Sequence, residues 1–398
     1  MRAVSVPANL GVADSGAMGT FYEFFAGGGM TRAGLGPGWI CLFANDFDAA
    51  KAKSYRANWG DGDFRLGDIA TLAASDLPGQ ADLAWASFPC QDLSLAGKGG
   101  GLGGARSGTF WRFRDLLRGL AREGRAPSLV AAENVCGLLT SNGGADFSAV
   151  VGALVDLGYR VGAMVIDAER FTPQSRPRLF IVGVARELAM RDLIATEPVD
   201  WTTMPALRAA HARLPNSVAA RWVWWRLPEP PRRNAGLRDV IEDEPTGVAW
   251  REDEETRYLL SLMSDANREK LRAAQRSGER EVGAVYRRTR RDENGARVQR
   301  AEVRFDNLAG CLRTPAGGSS RQTLLVVEGK RVRSRLISPR ECARLMGLSD
   351  DYILPKGATD AFHLLGDGVV APVVRHLAEH LFEPLLKGAV GAARIAAE

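Results

Sequence analysis

Apolar residues fall in short runs separated by glycine, proline and acidic breaks. Thr20–Phe25, Trp39–Asn45, Leu83–Ala86, Ser128–Val135, Val161–Ile166 and Leu179–Val184 each have the length and bounding residues of a buried strand. A further strand-like segment closes at Gly67-Asp68-Ile69. Between these runs the spacing turns helical, after Met30, over Thr109–Ala121 and over Val150–Gly158. Strand and helix in alternation predict an α/β fold with a doubly wound, mixed sheet. Regular structure returns late in the chain. Ser338-Pro339 with Glu341 reads as a capped start of a helix over Ser338–Leu348. Gly366-Asp367-Gly368 precedes a last helix over Pro372–Leu381. Residues 1–18 are small and mixed and read as a frayed leader.

Residues that carry chemistry recur where the strands end. Gly27-Gly28-Gly29 follows the first run, Asp46 the second, Asp68 the third, Cys90 the fourth and Glu133 the fifth. In a doubly wound sheet such positions gather along one edge, so a single crevice would hold them all. Each has a plainer reading. A glycine cluster also makes simple tight turns, an Asp also caps helices, and a free Cys is usually a small buried apolar residue. Asp46 and Asp48 are expected to divide ribose binding and helix capping between them. Cys90 stands in a turn fixed by Pro89, a place for a nucleophile. The glycine-rich stretch Ala96–Gly108 reads equally as a loop that closes over substrate and as a surface connector. Gln174-Ser175-Arg176-Pro177-Arg178 brings two guanidinium groups to the start of the last strand.

Composition changes beyond Ala185. Residues 186–330 carry Trp201, Trp222, Trp224, Trp225 and Trp250, a proline cluster and dense charge. Between Glu281 and Arg304 seven arginines (287, 288, 290, 291, 297, 300 and 304) face four acids, in sequence that reads as turn-rich with little periodicity. That fits an inserted module touching phosphates and base edges, or a solvated face. The 398-residue chain has a formal charge of +5, a weak pointer to a polyanionic partner. Its five cysteines form no CxxC pair and its four histidines none at ligand spacing, which speaks against a disulfide framework and a metal site. No apolar run approaches the roughly 18 residues of a membrane span. Arg2 is followed by no sustained apolar core, so no signal peptide is expected and the cytoplasm is the expected location.

These motifs, taken in order over most of the chain, resemble the DNA cytosine-5 methyltransferase family. FAGGG (25–29), NDFD (45–48) and GDI (67–69) are similar to its cofactor contacts, PCQDLS (89–94) to its catalytic loop, ENV (133–135) to its carboxylate motif and QSRPR (174–178) to its double-arginine motif. RLISPRECARLMGL (335–348) and GDGVVAPVV (366–374) resemble its closing pair. The resemblance implies a Rossmann-like, S-adenosylmethionine-dependent catalytic domain over 19–185, a smaller inserted target recognition domain over 186–333, a return to the catalytic domain over 334–386 and a tail from 387.

It further implies Cys90, Glu133, Arg176 and Arg178 as catalytic residues. For S-adenosylmethionine it implies Phe25, Ala26, Gly27, Gly28, Gly29, Asp46, Phe47, Asp68, Ile69, Pro89, Phe110, Asp367 and Val369. Gln91, Ser94, Lys98, Arg287, Arg288, Arg290 and Arg291 are implied for DNA. The implied partner is double-stranded DNA, the expected state a monomer, and a separately acting restriction endonuclease is the companion that the resemblance implies. No metal and no membrane are called for. The sequence departs from the family pattern in a glycine turn one residue shorter than usual, Asp46 for the usual Glu, Leu93 for Phe and Asp367 for Asn.

The chemistry explains why these residue types are needed. C5 of cytosine is a poor nucleophile until a thiolate adds to C6. A protonated Glu133 would donate to N3, and Arg178 would hold O2 as charge builds, with Arg176 supporting it or a phosphate. Because C6 is buried in stacked duplex, the base must swing out. Two other readings remain: an RNA cytosine-5 methyltransferase, for which Cys136 lies near the position of a second cysteine, and a catalytically silent DNA-binding protein.

Overall fold

The computed structural model of the chain describes residues 18–89, 108–190, 192–291, 295–314 and 321–388. It divides into two compact units: Met1–Asp167, Pro177–Pro230 and Gly368–Glu398 form the first, Ala168–Arg176 and Pro231–Asp367 the second.

The first unit is built on a seven-stranded sheet. Its strands are β1 (Gly19–Phe24), β2 (Trp39–Asp46), β3 (Phe64–Leu66), β4 (Leu83–Ala86), β5 (Leu129–Val135), β6 (Arg160–Asp167) and β7 (Pro177–Val184), in the order β3-β2-β1-β4-β5-β7-β6. Neighbours from β3 through β5 are parallel, and β7 runs antiparallel to both β5 and β6. This is the doubly wound, mixed sheet that the alternation predicts. Its inner strands are near-continuous apolar runs because both faces are covered; all four residues of β4 are buried, whereas edge strand β3 exposes Arg65 and Leu66. Helix Thr109–Arg122 turns Phe110, Phe113, Leu116, Leu117 and Leu120 inward. At the other end of the chain, Ala371–Leu377 continues into a π turn, and Phe382 sets its ring edge-on to Trp85 at 6.4 Å. The topological switch lies between β1 and β4, so the crevice expected of such sheets opens where these two strands end.

The shift in composition after Ala185 is not where the first unit stops; that unit runs on to Pro230. The tryptophans are the reason. Trp222 bridges Val161 on edge strand β6, and Trp222 and Trp224 pack against the core under the sheet. Gly162 makes room for the passing chain, since a Cβ there would lie 2.2 Å from the Val223 carbonyl oxygen. A short pair, β8 (Ile194–Ala195) and β9 (Trp224–Trp225), closes this excursion.

The second unit holds an antiparallel sheet of β10 (Arg280–Arg291), β11 (Arg297–Arg304), β12 (Thr323–Glu328) and β13 (Arg331–Leu336), in the order β11-β10-β12-β13. The stretch expected to be turn-rich is therefore two long paired strands, Arg280–Arg291 and Arg297–Arg304. Val282–Val285 on β10 and Ala301 and Val303 on β11 are buried and fix the register. The ladder then continues past them to Arg291↔Arg297, where every β10 side chain is exposed. Helices Asp253–Ser261 and Asp265–Arg276 cover one face through Leu259, Leu271 and Ala274, joined by Met263 from the link between them. The helix predicted at Ser338 is present as Pro339–Leu345, with Ser338 Oγ accepting from the Glu341 N–H. It and helix Ala358–Asp367 belong to this second unit, so the chain re-enters the first unit at Gly368 rather than near residue 334. Among the described residues, no helix is long and apolar enough to cross a membrane.

Candidate active site

The carboxyl ends of β1, β2, β4 and β5 bring several of the expected residues to one edge of the first unit's sheet. At the end of β1 the backbone reverses sharply: Phe25, Gly27 and Gly29 all have left-handed φ, of 58°, 56° and 78°. Phe25 holds that conformation at a steric cost that glycine escapes. Gly29 must be glycine on two counts, because a Cβ would meet Trp59 Nε1 at 2.3 Å. Trp59 Nε1 in turn donates to the Gly28 carbonyl at 3.0 Å. A Cβ on Gly27 would instead project into open space, so the turn presents bare backbone to a ligand there.

Asp46 ties this turn to β2. Its carboxylate accepts from the Gly27 N–H at 2.8 Å and from the Asp48 N–H at 2.8 Å. Burial pushes its carboxyl above the usual range, opposed by Lys51 and by the two N–H donors. Asp48 caps helix Ala49–Trp59 through the N–H groups of Ala50 and Lys51, which is the capping role expected of one member of this acidic pair. Between them Phe47 is 66 % exposed, an aromatic face left open among the described residues. Asn45 donates to the carbonyls of Arg65 and Gly67, both at 2.9 Å, and so fixes the approach to Asp68. Asp68 is exposed and caps a 3₁₀ turn through the Ala70 N–H, while Ile69 is buried in the core.

At the end of β5, Glu133 is 6 % exposed and Asn134 3 %. Arg178 Nε lies 3.2 Å from Glu133 Oε1. The reversed direction of β7 causes this: Val135 pairs with Arg178 and Glu133 with Phe180, so Glu133 and Arg178 are diagonal neighbours on one face. Asn134 Nδ2 donates to the Phe88 carbonyl at 3.1 Å, clamping the chain just ahead of Pro89. Cys90, Gln91, Ser94 and Lys98 lie outside the described residues. Cys136, next along from this edge, has its thiol pushed up to about 11 by burial. It is a poor source of thiolate at neutral pH.

Not every residue expected at the cofactor is placed to touch one. Phe110 has no exposed surface and packs against Phe88 at 5.3 Å between ring centroids, so it belongs to the core and offers a ligand nothing. Val369 is buried at 3 %. Asp367 belongs to the second unit, where it accepts from Thr314 Oγ1 at 3.1 Å. The adjoining Gly366 admits a close approach, since a Cβ there would stand 2.7 Å from the backbone at Arg313 and Thr314. Arg176 is buried in the same unit, with its guanidinium on the carbonyls of Leu312 and Gly366, each at 2.8 Å. Such an arginine positions backbone.

Sequence reasoning missed Asn45, Trp59, Asn134 and Gln174. Gln174 is fully buried, donates to the Leu345 carbonyl and accepts from the Leu312 N–H. Asn45 and Gln174 open a motif and Asn134 stands inside one, so they were legible on that ground; nothing in the sequence marks Trp59.

On the second unit, Arg287, Arg288, Arg290 and Arg291 are exposed on the outer half of β10. Glu302 takes both Arg288, at 3.3 Å, and Arg290, at 2.6 Å. Arg288 faces Arg300 and Arg291 faces Arg297 across the ladder. Like charges in register destabilise a free hairpin and suit one that meets a polyanion. Among the described residues, no three His, Cys, Asp or Glu side chains gather as a metal site would require.

The family model for C-5 cytosine-specific DNA methylase matches residues 19–383. The type II methyltransferase M.BsuFI of Bacillus subtilis is 26% identical over 369 residues, covering 92% of this chain and 73% of that protein. The type II methyltransferase M.HpaII of Haemophilus parainfluenzae is 25% identical over 388 residues, 92% of this chain and 90% of its own. Among solved structures, the Entamoeba histolytica methyltransferase EhMeth superposes with a TM-score of 0.59 at 13% identity, over 92% of this chain and 98% of that one.

Proposed function

This chain belongs to the C-5 cytosine-specific DNA methylase family and is a DNA cytosine-5 methyltransferase, and on that premise we propose how its residues carry the reaction. Cys90 is the nucleophile. Its thiolate adds to C6 of a cytosine swung out of the duplex, and the ring's C5–C6 π electrons become available at C5. Glu133, carrying a proton, donates to N3 as this happens, and Arg178 holds O2 while negative charge gathers on it. C5 then takes a methyl group. A base removes the C5 proton, the C5–C6 double bond re-forms and the cysteine leaves as thiolate.

The observation that carries this reading is the Glu133–Arg178 pair, a buried carboxyl and a guanidinium 3.2 Å apart at the carboxyl edge of the sheet. One face of a pyrimidine presents N3 and O2 side by side, and this pair answers both. The same edge fits S-adenosylmethionine. Gly27 offers open backbone, Asp46 keeps lone pairs beyond its two N–H bonds, and Phe47 offers a free aromatic face. Asp46 would hold the ribose, Phe47 and Asp68 the adenine, and the turn 25–29 the methionine end. When bound, the sulfonium supplies an electrophilic methyl. The arginine hairpin of the second unit serves as the recognition module on duplex DNA, and a restriction endonuclease acting separately is the expected companion.

The test is covalent capture. With S-adenosylmethionine and a duplex library carrying 5-fluorocytosine, the wild-type protein becomes attached to DNA in a form that survives a denaturing gel, and Cys90→Ala does not. A folded wild-type protein that methylates ordinary duplex yet forms no such adduct would overturn the mechanism. Preferential transfer of labelled methyl to RNA would move the substrate to RNA.

A further inference from the structure

The two faces of the arginine hairpin are not equivalent. Arg288 and Arg290 lie on the side of Tyr286 and are drawn to Glu302, and Arg291 donates to the Gly295 carbonyl at 3.1 Å. Arg287 points the other way, in line with Val285, towards the face covered by helix Asp253–Ser261. There it lines a cleft of about 640 Å³ together with Arg251, Glu252, Glu254, Glu255, Tyr258 and Leu262. Some of these groups are already committed. Arg251 donates to Thr323 Oγ1 at 3.3 Å, and Glu255 accepts from the Glu252 N–H at 3.1 Å. Others are not. Among the described residues, the Arg287 guanidinium, the Glu254 carboxylate and the hydroxyl of Tyr258, which is 59 % exposed, make no hydrogen bond or ion pair.

A free guanidinium and a free carboxylate share one cleft without closing on each other. A phosphate is the wrong ligand for it, because Glu254 and Glu255 would repel it. The edge of a G·C pair in the major groove has the matching pattern. Guanine shows two acceptors, N7 and O6, that a guanidinium fork meets at once, and cytosine shows an N4 amino donor that a carboxylate accepts. A two-stranded ribbon is also narrow enough to enter that groove.

We propose that Arg287 and Glu254 read one G·C base pair of the recognised site, Arg287 donating to guanine and Glu254 accepting from cytosine. Arg288 and Arg290 on the opposite face contact phosphates. This rests on the methyltransferase reading above and assigns part of its sequence specificity to two residues. Arg251, bonded to Thr323, places a second positive charge beside Arg287 in the same cleft.

The experiment uses the full-length protein, a duplex library randomised around the target cytosine, and bisulfite sequencing of the products. For the wild type, the methylated sequences share at least one required G·C pair besides the target. Arg287→Ala relaxes the requirement at one such pair by about tenfold or more, leaving the other positions as they were. Glu254→Ala relaxes the same pair. Arg287→Lys, which keeps the charge and loses the planar fork, also relaxes it. Arg290→Ala lowers methylation of all sequences alike. Folded Arg287 and Glu254 variants that methylate the wild-type set in the wild-type proportions overturn the proposal while leaving the enzyme reading intact. A wild-type protein that methylates no duplex overturns both.

Discussion

Arg178 and Glu133 are few atoms in a large protein, yet the reaction turns on how they are held. Each stands on an interior strand, largely buried, with Arg178 Nε 3.2 Å from the Glu133 carboxylate. Arg178→Ala should lower methyl transfer about 10²–10³-fold, the usual cost of one charge-stabilising donor. Glu133→Gln should lower it about 10²–10⁴-fold, the range for loss of a positioned proton donor. Single-turnover rates with labelled S-adenosylmethionine check both, and rates within a factor of three of wild type would remove these residues from the chemistry.

A second buried carboxyl, Glu23 on β1, sits just before the glycine turn with Oε2 lacking a hydrogen-bond partner among the described residues. Burial pushes it up to about 8, although Thr31 and Arg32 pull it down. Its folded value thus lies above the ordinary carboxyl value, so the native state holds a proton that the unfolded chain releases. Stability from this group is fully present at acid pH, falls as pH rises from about 4.5 towards 8, and is constant above that. Glu23→Gln, which cannot ionise, should equal wild type near pH 4.5 and exceed it by a few kcal/mol at pH 8. Urea midpoints across that range decide it, and parallel curves for the two proteins would exclude the effect.

At the scale of elements, the helix Pro339–Leu345 shows how a local signal becomes a tertiary one. Ser-Pro-x-Glu marks a capped helix start, and the cap is formed. The same Glu341 also receives Arg335 at 2.5 and 2.8 Å, with both side chains fully buried, and accepts from the Ser338 N–H at 2.7 Å. Arg335 was legible only as a polar residue in a motif. Removing Glu341 strands a buried guanidinium, and Glu341→Ala should cost about 3–5 kcal/mol in denaturant unfolding. Ser338→Ala, which loses one capping bond, should cost only about 1 kcal/mol. A smaller loss for Glu341 than for Ser338 would mean that the ion pair contributes no more than the cap.

The hairpin of β10 and β11 teaches the opposite lesson. β10 has no clean alternation, because its inner half is buried on both faces and its outer half on neither, whereas β11 buries Ala301 and Val303 on one face and leaves Glu302 and Arg304 half-exposed on the other. Periodicity therefore gave no sign of a ladder that pairing across the sheet makes continuous.

For the whole molecule, a formal charge of +5 says little until its distribution is known. Four exposed arginines stand together on β10, and two cross-strand pairs set like charge against like. Binding to duplex DNA should weaken steeply with salt, by about 10² or more in affinity between roughly 50 and 200 mM if four to six phosphates are met. Fluorescence anisotropy on a labelled duplex gives the slope, and a flat response over that range would show that this charge does not meet the DNA backbone. The boundaries of the units also belong to this scale. Composition placed a break near residue 186, but tryptophans that look like the start of another module seal the edge of β6 instead.

What the sequence settles by itself is local and ordered: the runs that become strands, the turn after β1, the caps at Asp48 and Ser338, and a succession of motifs specific enough to name a family. These depend on residues near one another in the chain, where spacing alone conveys the chemistry. The tertiary structure decides which of those residues meet. Reversal of β7 brings Arg178 to Glu133, close packing withdraws Phe110 from any ligand, buried carbonyls claim Arg176, and the covered face of a hairpin separates Arg287 from its neighbours. Each follows from strand direction and burial, which long-range packing sets and no short stretch of sequence records.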